Sequence, residues 1–431
     1  MPPIEHVKNV KDANQTKILS KPNVVGVGVG YKVTAGIRTD ELSVVAMVRE
    51  KVPAEDLPPG SLVPEAVDSV PVDVIQVGEI RAQQARTDRF RPAPGGVSIG
   101  HYQITAGTLG TVVRDRATGE RLILSNNHVL ANSNNAQIGD PILQPGPYDG
   151  GKQPDDVIGH LMRFCPITFL GEQLPGNCPL ASFYVGVGNI LAILTGSSHR
   201  ISATRTTSQG ANQVDAAIAH PVDDSVISDE ILEIGVVTGK TNATLGMPVR
   251  KSGRTTGFTT GEITLLDATV NVSYGTGRTA QFENQLVSGP MSQGGDSGSL
   301  LVAGDSLLAV GLLFAGSDQT TIYNPIQAVL DCLEVDMLGG TESQSEDARS
   351  ATERAQSVKN KYSQELLSKP NVVGVGVGYK QTGGVPTDRV ALVVMVERKV
   401  PPSQLSPQEM IPSELDGVPV DVQETGEIKA Q

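Results

Sequence analysis

Residues 19–83 of this chain recur as residues 367–431. The run Leu19-Ser20-Lys21-Pro22-Asn23-Val24-Val25-Gly26-Val27-Gly28-Val29-Gly30-Tyr31-Lys32 reappears unchanged from Leu367 to Lys380, and the copies align without a gap at an offset of 348 residues. Thr39-Asp40 matches Thr387-Asp388, Lys51-Val52-Pro53 matches Lys399-Val400-Pro401, and Val70-Pro71-Val72-Asp73-Val74 matches Val418-Pro419-Val420-Asp421-Val422. More than half of the paired positions are identical. Each copy follows a helical stretch, the clearer one running from Glu346 to Leu367. A Gly/Val strand comes next, then a second strand (Leu42 to Val48; Val390 to Val396), a Pro-rich turn and a last strand near Val70 to Ile75. This pattern reads as a small α+β module. Alternation puts the glycines on one face of the first strand, and such a face admits close approach of another backbone or helix. The spacing fits neither a dinucleotide fingerprint nor a phosphate loop. The duplication thus divides the 431 residues, a length suited to two or three domains. A first module spans 1–85, a Pro/Gly-rich linker 86–97, a central domain 98–338, a polar linker 339–350 and a second module 351–431.

The central domain holds the residues suited to chemistry. In Gly294-Gly295-Asp296-Ser297-Gly298-Ser299, the glycines allow a tight turn without a side chain above the serine. That leaves the backbone N–H groups of Gly295 and Ser297 to face a developing oxyanion. Upstream, the apolar strand Leu122-Ile123-Leu124 runs into the polar turn Ser125-Asn126-Asn127-His128. Val214-Asp215-Ala216-Ala217 sets an acid before residues that suit a buried strand. A serine needs a neutral imidazole to take its proton, and the imidazole needs an acid to fix its tautomer. His128, Asp215 and Ser297 supply these groups in the order His, Asp, Ser, one of several chain orders in which such a triad occurs. The rival acids Asp223 and Asp224 follow a proline in a loop that reads as solvated. The opening strand is expected near Thr105 to Val113 and a closing helix at Ile326 to Met337. An insertion of about 141–210, with an apolar piece from Val185 to Thr195, separates the histidine and aspartate strands.

Ser125-Asn126-Asn127-His128-Val129-Leu130 resembles the histidine motif of bacterial trypsin-like and HtrA-like proteases. Gly253-Arg254-Thr255-Thr256-Gly257 resembles a loop of bacterial chymotrypsin-fold enzymes. The whole chain resembles the bacterial trypsin-like peptidases related to plant NARROW LEAF 1. The resemblance implies a mainly β fold, a chymotrypsin-like double β-barrel over roughly 98–335 flanked by the two α+β modules. It implies a serine endopeptidase that works through an acyl-enzyme, with Gly295 and Ser297 as the oxyanion hole. It also implies that Asp296 turns inward to a cation. Trypsin uses a newly cut N-terminus there; in this chain Arg254 is the expected partner, in a structural Arg254–Asp296 ion pair. Met291 would lie at the base of the primary pocket, with Phe314, Ala315 and Gly316 as its wall. With no acid at that base, an apolar residue before the scissile bond is expected. Activity should rise through about pH 6–7 as the histidine becomes neutral. The flanking modules would oligomerise or gate the protease. The alternative is a self-assembling scaffold whose protease fold is inert or cuts only itself.

Net charge is −13, which argues against nucleic acid as a partner. The expected partners are a polypeptide substrate and further copies of the chain as a homo-oligomer. No apolar run reaches the roughly 20 residues of a membrane helix, and the start Met1-Pro2-Pro3-Ile4 lacks the pattern of a signal peptide. No cofactor and no metal are called for. Three cysteines make no disulfide framework. Cys165 and Cys178 could pair around the insertion, but free thiols fit better with the cytoplasmic location expected here.

Overall fold

The computed structural model describes the chain apart from residues 1–2, 35–36, 54–55, 59, 79–83, 172–173, 176–203, 206–210, 276, 305, 344–348 and 407. Cys178, the piece Val185 to Thr195 and most of the insertion therefore lie outside the described residues. The chain separates into two compact units, Met1–Gln84 and Ala85–Gln431.

The first unit is an α+β module. Helix Ile4–Leu19 precedes strands Val24–Thr34, Ile37–Val48, Ala66–Val67 and Val70–Gln76. Val24–Thr34 and Ile37–Val48 form an antiparallel hairpin, and Ile37–Val48 pairs in parallel with Val70–Gln76. The helix turns Val7, Val10 and Ile18 onto Val44, Ala46, Val70 and Val72. Burial of the valine and isoleucine side chains among these stabilises the sheet by roughly 1.5–3 kcal/mol per fully buried side chain.

The second unit contains two curled β-sheets. The first has the strand order Val335–Met337, Thr111–Asp115, Arg121–Ser125, Ala217–Pro221, Val157–Phe164, Pro141–Leu143, Ser98–His101 and Gly107–Thr108. Its core includes Ile99, Val112, Ile123, Ile142, Ile158 and Ala219, all fully buried. The second sheet runs Pro248–Gly253, Leu300–Ala303, Leu308–Gly316, Thr321–Pro325, Thr279–Ser288 and Gly257–Ser273, and its last strand pairs back with its first. That closes a six-stranded barrel around Leu301, Leu313 and Tyr323. The molecule is mainly β, with the chymotrypsin-like double barrel expected from sequence. Among the described residues no helix is long and apolar enough to cross a membrane.

The second copy of the repeat does not stand apart. Helix Arg349–Leu367 leads to Val372–Thr382, Val385–Val396, Glu414–Leu415 and Val418–Glu424. Their bounds are those of the first-unit strands plus the same offset. Strand Val372–Thr382 pairs antiparallel with Gly257–Ser273, so the barrel's outer strand continues into the module's sheet. Gly378 makes this contact possible: a Cβ there would lie 2.3 Å from Leu265 Cδ2 and 2.7 Å from the Thr264 carbonyl.

The free-thiol expectation is corrected. Cys165 and Cys332 form a disulfide between the segment after strand Val157–Phe164 and helix Ile326–Leu333. The two positions are 167 residues apart in sequence, so no local spacing marks them as partners.

Candidate active site

The site lies where the barrels meet. His128 sits on the short helix Asn127–Leu130, just after strand Arg121–Ser125 of the first barrel. Asp215 lies two residues before strand Ala217–Pro221 and is fully buried. Ser297 lies in the loop before strand Leu300–Ala303 of the second barrel and is also fully buried. The barrels are tied at this point by Thr108 N–H, which donates to the Ser297 carbonyl at 2.7 Å, and Asp215 N–H, which donates to Asn324 Oδ1 at 2.9 Å.

His128 Nδ1 lies 2.6 Å from Asp215 Oδ2, and the His128 backbone N–H donates to Asp215 Oδ1 at 3.2 Å. This geometry fixes the ring with a proton on Nδ1 and leaves Nε2 toward the cleft. Burial alone would lower the His128 pKa, but the charge and hydrogen bond of Asp215, with a backbone contact from Gln431, carry it above 6.5. Ser297 Oγ does not point at His128. It donates to the Phe314 carbonyl at 3.0 Å, while His128 Nε2 lies 3.1 Å from the Gln431 carbonyl oxygen.

Gly295 adopts φ +96°, a left-handed conformation suited to glycine. Its carbonyl accepts from Thr108 Oγ1 at 2.9 Å. Among the described residues, neither the Gly295 N–H nor the Ser297 N–H donates to another group. Both remain available as oxyanion donors.

The predicted Arg254–Asp296 pair is not formed. Arg254 instead makes a two-pronged ion pair with Asp149, its Nε at 2.8 Å from Oδ2. The cation beside Asp296 is Lys251, at 3.4 Å, with both side chains fully buried. Lys251 follows from strand geometry: on Pro248–Gly253 it points inward, toward the loop that carries Ser297. Asp296 also accepts from Thr256 Oγ1 at 2.6 Å and from the backbone N–H groups of Thr255, Thr256 and Gln293. These donors satisfy the carboxylate where a lone ion pair would not. Burial lowers the Lys251 pKa, and Asp296 partly offsets that. Arg254 still supports the loop: its Nη1 donates to Thr255 Oγ1, which donates to the Gly294 carbonyl at 2.8 Å.

The expected pocket residues divide. Met291 does not line the cleft; its side chain is packed in the second barrel's core, and Tyr323 Oη donates to its sulfur at 3.4 Å. An unbranched apolar side chain gains more there than at a wet pocket floor. Phe314 is buried against Phe282, with ring centroids 4.8 Å apart. Ala315 and Gly316 present backbone to the cleft and pair with Ala430 and Lys429. Ser292, Gln293 and Gly294 line the opposite wall.

Nothing in the local sequence marks Tyr274, yet it completes the site. Its hydroxyl donates to Asp215 Oδ2 at 2.7 Å, and its ring stands edge-on to His128 at 5.9 Å. Burial, then the charge of Asp215, holds the Tyr274 pKa well above 10, so the hydroxyl stays a donor. The contact bridges 59 residues and has no motif.

No protein-family model matches the chain. Streptogrisin-A of Streptomyces griseus is 28% identical over 244 residues, 53% of this chain and 78% of that protein. Serine protease 2 of Streptomyces fradiae is 40% identical over 81 residues, 19% of this chain and 43% of that protein. Among solved structures, Thermobifida fusca protease A covers 57% of this chain and 98% of its own, at 16% identity and a TM-score of 0.35.

Proposed function

We propose that this chain, a chymotrypsin-like serine protease by its sequence relationships, is an endopeptidase. Ser297 Oγ attacks the scissile carbonyl carbon, and His128 Nε2 takes its proton. His128 then returns that proton to the leaving amine, and water hydrolyses the acyl-enzyme by the same route. Asp215 holds the imidazole in the required tautomer. The Gly295 and Ser297 N–H groups face the oxyanion. The observation that carries the reading is the buried His128–Asp215 pair aimed at the loop of Ser297, with both backbone donors unengaged. Catalysis requires the Ser297 hydroxyl to leave the Phe314 carbonyl and turn to His128. Labelling with a fluorophosphonate probe tests the reading: the folded chain should label at Ser297, and Ser297→Ala should not.

One observation favours the second reading, a scaffold whose protease fold is inert or cuts only itself. Ser297 is buried with its hydroxyl on Phe314, and His128 is engaged by Gln431. We read this as a gated state. The second copy of the repeat supplies the gate, and oligomerisation through the repeats is the companion proposal, tested by molecular mass in solution. Kinship with the group around plant NARROW LEAF 1 is part of the proposal and rests on the motifs alone. The cytoplasmic location stays a proposal, and the Cys165–Cys332 disulfide counts against it, because disulfides persist in oxidising compartments.

A further inference from the structure

One face of the repeat is covered in the second module and uncovered in the first. Strand Val24–Thr34 lies at the edge of the first module's sheet, so its outer edge has no strand partner among the described residues. From Val24 to Tyr31 it carries no charge and no proline, the devices that commonly protect an edge. Val27 and Val29 turn toward the core shared with helix Ile4–Leu19, while Gly26, Gly28 and Gly30 lie on the other face, beside Met47 and Val45. A Cβ at Gly28 would meet Met47 Cε alone, at 3.7 Å. Met47 itself is half-buried.

The second module displays what this face is shaped to hold. Strand Val372–Thr382 is identical to the first-module strand as far as Lys380, and it pairs antiparallel with Gly257–Ser273, with Leu265 opposite Gly378 and Val270 opposite Gly374. A Cβ on Gly374, Gly376 or Gly378 would lie 3.0 Å from Val270, 3.2 Å from Ala268 or 2.3 Å from Leu265. Aliphatic side chains of the partner strand thus fill the bare glycine face. Met395, the counterpart of Met47, is fully buried. Lys359 Nζ reaches Asp267 at 2.9 Å, the two side chains 5% and 14% exposed. The first module keeps this cation as well. Lys11 stands at the same offset from Lys359, and its partners are its helix neighbours Asp12 and Gln15.

We propose that the first module is a docking site for a segment of another protein, which adds an antiparallel strand along Val24–Gly30. The segment sets large aliphatic side chains opposite Gly26 and Gly30, a small one at Gly28 and a carboxylate on Lys11. Main-chain hydrogen bonds attach it, and the alternate side chains select it. A second copy of this chain does not meet these needs. Its barrel strand is already paired with its own second module. That module is anchored further by Ile428, buried with Val270 and Phe282, and by Lys429 and Ala430, paired with Gly316 and Ala315 in the cleft. Two first-module edges joined about a two-fold axis would set glycine opposite glycine and leave the face unfilled. Assembly through the repeats therefore uses other surfaces of the modules.

The test uses the full chain as Ser297→Ala, which keeps any peptide intact, and a fluorescent peptide with the sequence of residues 262–273. Anisotropy should show saturable binding with a Kd below about 1 mM. Gly28→Val should weaken it about 10-fold or more, the scale of forcing a side chain into a packed contact, with the melting temperature kept. Lys11→Glu should weaken it as well, and Asp267→Lys in the peptide should restore binding to that variant. Leu265→Ser with Val270→Ser in the peptide should lower affinity for the unaltered module at least about 10-fold, which decides the matter even where a protein variant fails to fold. No saturation by about 1 mM overturns the proposal. So does binding that Gly28→Val and Lys11→Glu leave unchanged, since the peptide would then be exchanging at the second module. A solution mass above one chain that Gly28→Val returns to one chain also overturns it, because the occupant is then a second copy. Fluorophosphonate labelling of the wild-type chain reports separately on the endopeptidase reading, on which the docking does not depend.

Discussion

The His128 Nε2 and the Gln431 carbonyl oxygen lie 3.1 Å apart, while His128 Nδ1 holds Asp215 at 2.6 Å. A neutral imidazole has one N–H to give. With that proton on Nδ1, Nε2 carries a lone pair and repels a carbonyl lone pair. The contact to Gln431 is favourable only when both ring nitrogens carry protons. The docked strand therefore selects the form of His128 that cannot act as a base.

Removal of residues 429–431 should raise activity. Ile428 keeps its place in the core, so the module's fold is spared. A cleft filled most of the time weakens apparent substrate affinity by the fraction that is free. The chain lacking these residues should show a kcat/KM increased by about 10-fold or more on casein. Unchanged kinetics, with unchanged thermal stability, would show that the strand does not gate the site.

Occupancy should also depend on pH. The groups facing His128 are Asp215, the neutral Tyr274 and the Gln431 carbonyl. Burial opposes the charged ring, but Asp215 and then Gln431 raise its pKa above 6.5. A pKa raised by docking means that docking is favoured below the pKa of the open site and is lost as pH rises through the raised value. The full chain should thus gain activity along a pH profile with its midpoint above 6.5. That is higher than the rise through about pH 6–7 expected from an unperturbed histidine. The shortened chain should have a lower midpoint than the full chain. Equal midpoints in the two would remove Gln431 from the titration.

His128, Asp215 and Ser297 were legible because each sits in a local frame: a strand end, a strand start and a glycine turn. Their chain order did the rest. Lys251 and Asp149 were not, because the cation beside Asp296 and the acid beside Arg254 are chosen in space, between segments 45 and 105 residues apart. The repeat was read from identity alone, and its strands from alternation. That Val372–Thr382 adds to the barrel's own sheet could not be read, because alternation specifies a strand and a buried face but not which edge it joins. The same limit hid the path of residues 426–431 across the cleft.

Tyr274 should act as a positioning residue. Tyr274→Phe keeps the ring against His128 and Phe169 and removes only the donor to Asp215. Hydrogen bonds to charged groups are worth about 1.5–3 kcal/mol, so kcat should fall roughly 10- to 100-fold with KM little changed. Asp215 would keep more of its charge for His128, and the pH midpoint should move up. A Tyr274→Phe variant with wild-type kcat and midpoint would assign the hydroxyl a packing role only.

Lys251 and Arg254 should separate stability from loop alignment. Lys251 and Asp296 are both fully buried, so Lys251→Met leaves a buried carboxylate without its cation. Loss of one partner of a buried pair costs about 3–5 kcal/mol. The hydrogen bonds from Thr255, Thr256 and Gln293 soften that loss, so a large drop in Tm with a folded but weakly active protein is expected. The Arg254 and Asp149 side chains are 13% and 6% exposed, slightly more than the fully buried Lys251 and Asp296, and Arg254 holds Asp149 with two prongs. Arg254→Ala should cost less stability but free Thr255 and the Gly294 carbonyl. The oxyanion donor at Gly295 would then lose alignment, and kcat should fall by more than Tm predicts. Thermal melts and single-turnover acylation of both variants check this. If Arg254→Ala matched Lys251→Met in Tm and kept the wild-type acylation rate, Arg254 would belong to the fold rather than to the loop that carries Ser297.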